Sequence, residues 1–204
     1  MRVYSQPELI RKWCTGKITI DIGGVGNADG APHLEAINEA WGGILRLIVD
    51  CQEGAAEKID LDRECLSNTC LRADIVWMAH TLEHLGYPLR VLRDLRQVAN
   101  TLVVINGNPD CMVYRMGVEL QRKRGPTMGH RYSWSAGDMR SLLHRAGWEV
   151  SEQVWQTGGW WSLLGAASRL AGMLYPPVLA YGYAMLCHKT GLVSESPYSR
   201  SPHA

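Results

Sequence analysis

The stretch Asp74-Ile-Val-Trp-Met-Ala-His-Thr-Leu-Glu-His-Leu85 decides the fold. Its first half, Asp74 to Ala79, is a short apolar run opened by an acid, the profile of a strand buried on both faces. Its second half, His80 to Leu85, sets two imidazoles and a carboxylate directly where that strand stops. In an open α/β sheet, ligands sit outside the carboxyl ends of the strands, so such a corner is where chemistry is placed. Taken alone, His80-Thr-Leu-Glu-His84 has two incompatible readings. It is either the corner after a parallel strand or an H-x-x-E-H helix whose imidazoles, one turn apart, hold zinc. The residues on either side decide between them.

Upstream, Gln6 to Thr15 has Pro7 near a helix start and Leu9, Ile10 and Trp13 at helical spacing. Lys17 to Ile22 reads as a first strand, followed by the glycine-rich turn Gly23-Gly-Val-Gly-Asn-Ala-Asp-Gly30. His33 to Trp41 reads as a helix stopped by Gly42-Gly43, and Leu45 to Asp50 as a second strand ending in an acid. Strand, glycine loop, helix, strand and acid outline a nucleotide-binding βαβ unit. Glycines let backbone approach a ligand, the helix start offers free N–H groups, and the acid accepts hydrogen bonds from ribose hydroxyls. A tight turn with no ligand is the alternative. A dinucleotide fingerprint started at Gly24 requires glycine at position 29, where Asp29 stands, so NAD is disfavoured.

Only eight residues separate Asp50 from Ile59, too few for a full crossover helix with its loops. A shortened connection to a third strand around Lys58 to Leu61 is expected. Downstream of the opening stretch, Leu89, Val91, Leu92, Leu95 and Val98 fall at helical spacing within Pro88 to Ala99, with Arg90, Arg93, Asp94, Arg96 and Gln97 opposite. Thr101 to Ile105 is a continuous β-branched strand, and Asn106 to Asp110 a turn at its carboxyl end. Met112 to Lys123 reads as a helix, and Gly125 to Trp134 as a loop carrying His130. Ser135 is a candidate N-cap for a helix to Ala146, with Asp138 in its first turn and Gly147 as its stop. Trp148 to Trp155 alternates like a strand.

Two ordered blocks resemble class I S-adenosylmethionine (SAM)-dependent methyltransferases. Ile20-Asp-Ile-Gly-Gly-Val-Gly26 is similar to the family's first motif, acid-x-Gly-x-Gly-x-Gly. Asp21 and Gly23 match, while Gly24 and Gly26 are displaced by one position. Asp74, Val76, Leu82-Glu-His-Leu85, Pro88, Arg96-Gln-Val98 and Asn108-Pro109 resemble the family's fourth strand, following helix and fifth strand. The usual Lys-Pro-Gly-Gly turn is replaced here by Ala99-Asn-Thr. Arg145-Ala-Gly-Trp148 resembles the family's late helix-to-strand turn.

The resemblance implies an α/β fold, a doubly wound, mostly parallel seven-stranded sheet with a helical insert before the last strand. It implies SAM as cofactor, with Asp21, Gly23, Gly24, Gly26, Asp50, Asp62 and Ala79 around it, Asp50 on the ribose and Asp62 beside the adenine amino group. Asp62 within a solvated acidic loop is the alternative. Methyl transfer needs an acceptor held in line and, for a hydroxyl, its proton removed. His80 and His84 at the strand end, with His130 from the loop, are the candidate bases. A related O-methyltransferase branch has Glu-x-x-Glu-His at this corner and binds a divalent metal; His80 replaces the first acid, and no metal site is assigned here. The Glu83-His84 pair acting only to shape the corner is the other reading.

Residues 1–193 are expected to form one domain, and the Ser- and Pro-rich residues 194–204 a disordered tail. Gly158 to Cys187 is a 30-residue apolar stretch interrupted by Arg169 and Pro176-Pro177. A span needs about 20 uninterrupted apolar residues. Residues 158–181 therefore read as a helical insert or apolar substrate lid, and Tyr181 to Lys189 as a closing antiparallel strand. Trp160-Trp161 beside Arg169 also suits peripheral contact with a membrane surface. The implied acceptor is a small-molecule or lipid-like compound.

Composition narrows the rest. With 21 basic and 20 acidic residues the chain lacks the bulk charge of a nucleic-acid binder. Six cysteines without a C-x-x-C pair, and an N-terminus lacking an apolar h-region, read as a cytoplasmic protein with reduced thiols. Phenylalanine is absent, so the aromatic core must come from Trp and Tyr, whose polar atoms need partners when buried. Two rivals complete the readings. One is a zinc peptidase built on His80 and His84, with Glu149 or Glu152 as third ligand. The other is a methyltransferase fold that has lost catalysis and serves as a binding scaffold.

Overall fold

The computed structural model describes residues 3–23, 46–51, 55, 57–66, 69–111, 131–156, 180 and 182–191. In chain order its elements are β1 (Val3–Tyr4), α1 (Gln6–Cys14), β2 (Thr19–Ile22), β3 (Arg46–Asp50), β4 (Glu57–Lys58), β5 (Ile75–Ala79), a 3₁₀ turn (Leu82–His84), α2 (Pro88–Leu95), β6 (Thr101–Gly107), α3 (Ala136–Arg145), β7 (Trp148–Gln156) and β8 (Gly182–Lys189). The eight strands form one sheet in the order β1-β7-β8-β6-β5-β2-β3-β4. β4, β3, β2, β5 and β6 run parallel, and β8 is antiparallel to both β6 and β7. The expected seven strands are thus joined by an eighth, β1, which pairs Val3 with Trp155 and Tyr4 with Gln156.

Each face of the sheet buries its own set of side chains. Val76, Met78, Leu102 and Val104 pack with Val91, Leu92 and Leu95 of α2 and Met139, Leu142 and Leu143 of α3. Ile75, Trp77, Val103 and Ile105 point the other way and pack with Leu9, Ile10, Trp13 and Cys14 of α1. The alternation follows from the two-residue period of a strand. Fully burying one Leu, Ile or Met side chain contributes about 1.5–3 kcal/mol, so both layers weigh heavily in stability.

The termini of these helices behave as their residues dictate. Ser135 Oγ accepts from the Asp138 backbone N–H at 3.2 Å and donates to its carboxylate at 2.7 Å. Gly147 ends α3 at φ 85°. A Cβ there would stand 2.8 Å from the Arg96 guanidinium, so this stop also makes room for a neighbour. At α1, the Glu8 carboxylate accepts from Ser5 N and Oγ, closing the first turn.

Several expected boundaries shift. β6 continues through Asn106 and Gly107, because β8 offers partners up to Gly182. The third strand is the two-residue β4 rather than Lys58 to Leu61, and α2 gives way to a turn after Leu95. Two buried aromatics satisfy their polar atoms, Trp148 Nε1 donating to Leu92 O at 2.7 Å and the Tyr183 hydroxyl to Trp134 O at 2.9 Å, whereas Trp134 Nε1 and Trp155 Nε1 are buried without a partner among the described residues. The expected helices at 33–41 and 112–123 and the tail at 194–204 lie outside the described residues, as does the insert at 158–181 apart from Ala180.

Candidate functional site

Strand order reverses at β2, with β3 and β4 on one side and β5 on the other. Such a switch point leaves a crevice at the carboxyl ends of the two central strands. Register aligns the strand ends there. Ile22 pairs with Val49 on one side and Met78 on the other, so Asp50, Gly23 and Ala79 come next in one row. The row is held by its backbone: Gly23 N donates to Val49 O at 2.8 Å, and His80 N to Ile105 O at 3.0 Å. Two strand spacings, about 10 Å, separate Asp50 from Ala79.

Gly23 has φ 74°, a conformation that side-chain-bearing residues rarely adopt. Thr81 occupies the space beside it, donating its hydroxyl to Ile22 O at 2.9 Å. Asp50 is buried at the β3 end, and its backbone carbonyl accepts from Ile59 N at 2.9 Å. The neighbouring Cys51 thiol is pushed up by partial burial first, then by its hydrogen bond with Asp50 and that residue's charge. Asp21 is buried two residues before Gly23, in register with Trp77 of β5. Burial, with a smaller contribution from Asp21, pushes the Cys14 thiol up to about 12.

The corner after β5 is a kink, not a helix. His80 lies at φ 54°, the single non-glycine residue with positive φ among the described residues, and the chain then makes one 3₁₀ turn. The H-x-x-E-H zinc reading is corrected on this point, because its two imidazoles must project from successive turns of one α-helix. Glu149 and Glu152, its proposed third ligands, lie on β7, three strands from β5.

Glu83 organises the kink. Its side chain is only 3 % exposed, and His80 Nδ1 lies 3.4 Å from its Oε1. With the Asn106 amide in the orientation its neighbours require, Asn106 donates to Glu83 Oε2 at 2.7 Å. The Glu83 backbone carbonyl accepts from Arg131 N at 2.7 Å and Tyr132 N at 3.2 Å. One residue thereby joins the β5 corner, the β6 end and the segment entering α3. Thr81, Asn106 and Arg131 were not singled out by the sequence reading. The detectable signal was Asn106, a polar residue directly following a continuous apolar strand.

Asp62 serves the same corner. Its Oδ1 accepts from Gly86 N at 2.7 Å, and Arg131 Nη1 lies 3.7 Å from its Oδ2. Tyr132 stacks on Trp134 at 5.0 Å and donates to Gly86 O at 3.3 Å, extending a small aromatic wall from this point. His84 follows at the end of the 3₁₀ turn, partly buried. Thus Asp50, Gly23, Ala79, His80 and His84 gather at the carboxyl edge, with Asp62 fastened behind them. Gly24, Gly26 and His130 lie outside the described residues.

No protein-family model and no curated protein matches the sequence. Solved structures do match. A methyltransferase (CcbJ) from Streptomyces caelestis is 12% identical over 90% of this chain and 93% of its own, with a TM-score of 0.57. A SAM-dependent methyltransferase from Aquifex aeolicus is 18% identical over 91% and 90%, at 0.53. The magnesium protoporphyrin IX methyltransferase from Synechocystis PCC 6803, solved with bound S-adenosylhomocysteine (SAH), is 12% identical over 90% and 82%, at 0.53. The chain has the Rossmann-like fold of the class I SAM-dependent methyltransferases.

Proposed function

We propose that the protein is a SAM-dependent methyltransferase that O-methylates a small-molecule or lipid-like acceptor. The observation that carries this reading is the row Asp50, Gly23, Ala79 and His80 at the switch point of the sheet. The described residues fit the cofactor: an acid ends the strand beside the glycine corner, where a ribose would be held. When bound, SAM supplies an electrophilic methyl group on a sulfonium. In this reading Asp50 binds the ribose hydroxyls, Gly23 lets backbone approach the ligand, and Asp62 flanks the adenine. His80, His84 or His130 takes the acceptor's proton.

Support for an apolar acceptor comes from residues 158–181, whose composition suits a lid. Paired Trp160-Trp161 beside Arg169 supports peripheral membrane contact by that segment. Among the described residues, no helix is long and apolar enough to cross a membrane.

Calorimetry with SAH tests the reading. Saturable binding is expected, weakened about 10- to 100-fold by Asp50→Ala, as loss of hydrogen bonds to a charged group costs about 1.5–3 kcal/mol. Folded protein that does not bind SAH would overturn it and favour the scaffold reading, which the displaced glycines and the two-residue β4 support.

A further inference from the structure

We propose that the amino-terminal end of the sheet carries a second ligand site, a recess that takes the phosphate group of a soluble phosphomonoester, with Arg96 and Lys189 as its cations. The recess measures about 420 Å³, a volume that suits a small ligand. Arg96, the Asn100-Thr101 start of β6, and His188 to Gly191 at the end of β8 line it. The seven residues of β6, roughly 20 Å of strand, separate it from the crevice at the carboxyl edge. It is therefore distinct from the row of Asp50, Gly23 and Ala79. The site stands apart from the methyltransferase reading, so SAH binding and phosphate binding fail independently.

The Arg96 guanidinium is fixed from two sides. Nη2 donates to Thr190 O at 3.1 Å, and a Cβ on Gly147 would stand 2.8 Å from Cζ and Nη1. Its charge is left unbalanced. Nε is buried without an acceptor among the described residues, and none of their carboxylates lies within ion-pair distance of Arg96 or Lys189. No acidic residue lines the recess among the described residues. Glu149 pairs with His188 across β7 and β8, and strand alternation sets that pair on the opposite side of the sheet from Lys189, which pairs with the buried Trp148. Arg96 also follows the last turn of α2, where a cation favours the helix carbonyls. Capping accounts for one cation there, but not for Lys189 on the same acid-free recess.

A partly buried cation without a counter-ion is costly, and an anion in the recess offsets that cost. Arginine presents a planar fork that matches phosphate oxygens, and lysine adds a point charge. Two cations match the charge of a phosphomonoester dianion better than that of a single carboxylate. Asn100 and Thr101 bring neutral hydrogen-bonding groups to the same lining, with Thr101 Oγ1 3.4 Å from His188 Nδ1. Nearby, the exposed Arg93 and Arg145, in contact through Arg93 Nη2 and Arg145 O at 3.5 Å, add positive potential along the approach. The concave shape suits one phosphate head rather than a flat lipid surface.

Calorimetry on the full chain, with inorganic phosphate and then glycerol 3-phosphate at constant ionic strength, tests the site. Saturable binding of both is expected, weakened about 10-fold or more by Arg96→Gln and by Lys189→Gln, since each removes a charge-assisted contact. Lys189 is exposed, so its variant keeps the fold if Arg96→Gln does not. Backbone NMR should show phosphate-induced shifts centred on residues 96, 100–101 and 188–191. Folded wild type that binds neither compound, binding that Lys189→Gln leaves unchanged, or shifts centred on Gly23 and Asp50 would each overturn the proposal. Vesicles of phosphatidylcholine containing phosphatidic acid present the same phosphomonoester on a lipid. Their capture by a protein that ignores glycerol 3-phosphate would overturn the assignment to a soluble ligand.

Discussion

A Cβ placed on Gly23 would stand 2.4 Å from Thr81 Oγ1 and 2.8 Å from its Cγ2. The glycine corner after β2 and the kink after β5 are therefore packed as a single joint, at the point where strand order reverses. Gly23→Ala is expected to destabilise the protein by about 2–4 kcal/mol, combining an unfavourable positive φ with overpacking. Thr81→Ala should recover roughly half of that loss, leaving mainly the backbone cost. Chemical denaturation of both single variants and the double variant measures the coupling, and simple additivity would contradict the packing account.

Asp62 and Arg131 separate two kinds of polar contact at one corner. Asp62→Ala leaves Gly86 N without its acceptor and should cost about 1–2 kcal/mol in denaturation. Arg131→Ala removes a half-exposed partner 3.7 Å away and should change stability by no more than about 0.5 kcal/mol. Asp62→Ala should also weaken SAH binding less than Asp50→Ala does, since its carboxylate is already engaged with Gly86. Equal losses in calorimetry would place the two acids on the ligand alike.

Glu152 links β7 to α1, accepting from Lys12 and, at 3.1 Å, from Trp13 Nε1. The hydrogen bond from Lys12 holds its carboxyl below the usual carboxylate range, with Trp13 and the Lys12 charge acting in the same direction. A depressed folded-state pKa contributes stability above the unfolded value, lost as pH falls through the folded one. Wild type and Glu152→Gln should accordingly differ in thermal midpoint near neutrality and converge in acid. Because the pair is partly exposed, the difference should be small and should shrink with salt. A gap that persists at low pH would point to packing instead of charge.

Much of this architecture could be read directly from residue order. Apolar runs such as Thr101 to Ile105 mark strands buried on two faces, and the spacing of Val91, Leu92 and Leu95 marks the helix packed against them. The fold class follows from the order of such elements, and the structural likenesses agree with it. The corner was harder to read. Periodicity describes regular elements, whereas His80 departs from regularity through one positive φ that no local propensity announces. The same five residues fit an α-helix equally well on paper. What excludes the helix is tertiary: Thr81 packs against Gly23, and Asn106 engages Glu83 from the next strand. Asn106 was assigned to a turn because it follows an apolar run, but antiparallel pairing with Tyr183 keeps it in β6. Asp62 could be placed near the site from its sequence position, but its bond to Gly86 joins residues 24 positions apart.

The sheet's two outer strands also bear on how copies of the chain meet. An open strand edge is a template for another backbone. Here one edge is β4, two exposed residues of opposite charge, Glu57 and Lys58. At the other edge β1 covers only Trp155 and Gln156 of the nine-residue β7, whose earlier part carries Glu149 and Glu152 and a register break between Val150 and Glu152. Among the described residues, neither border offers a long, flat, uncharged ladder. The described part of each border thereby discourages another strand from adding to the sheet edge beside the crevice.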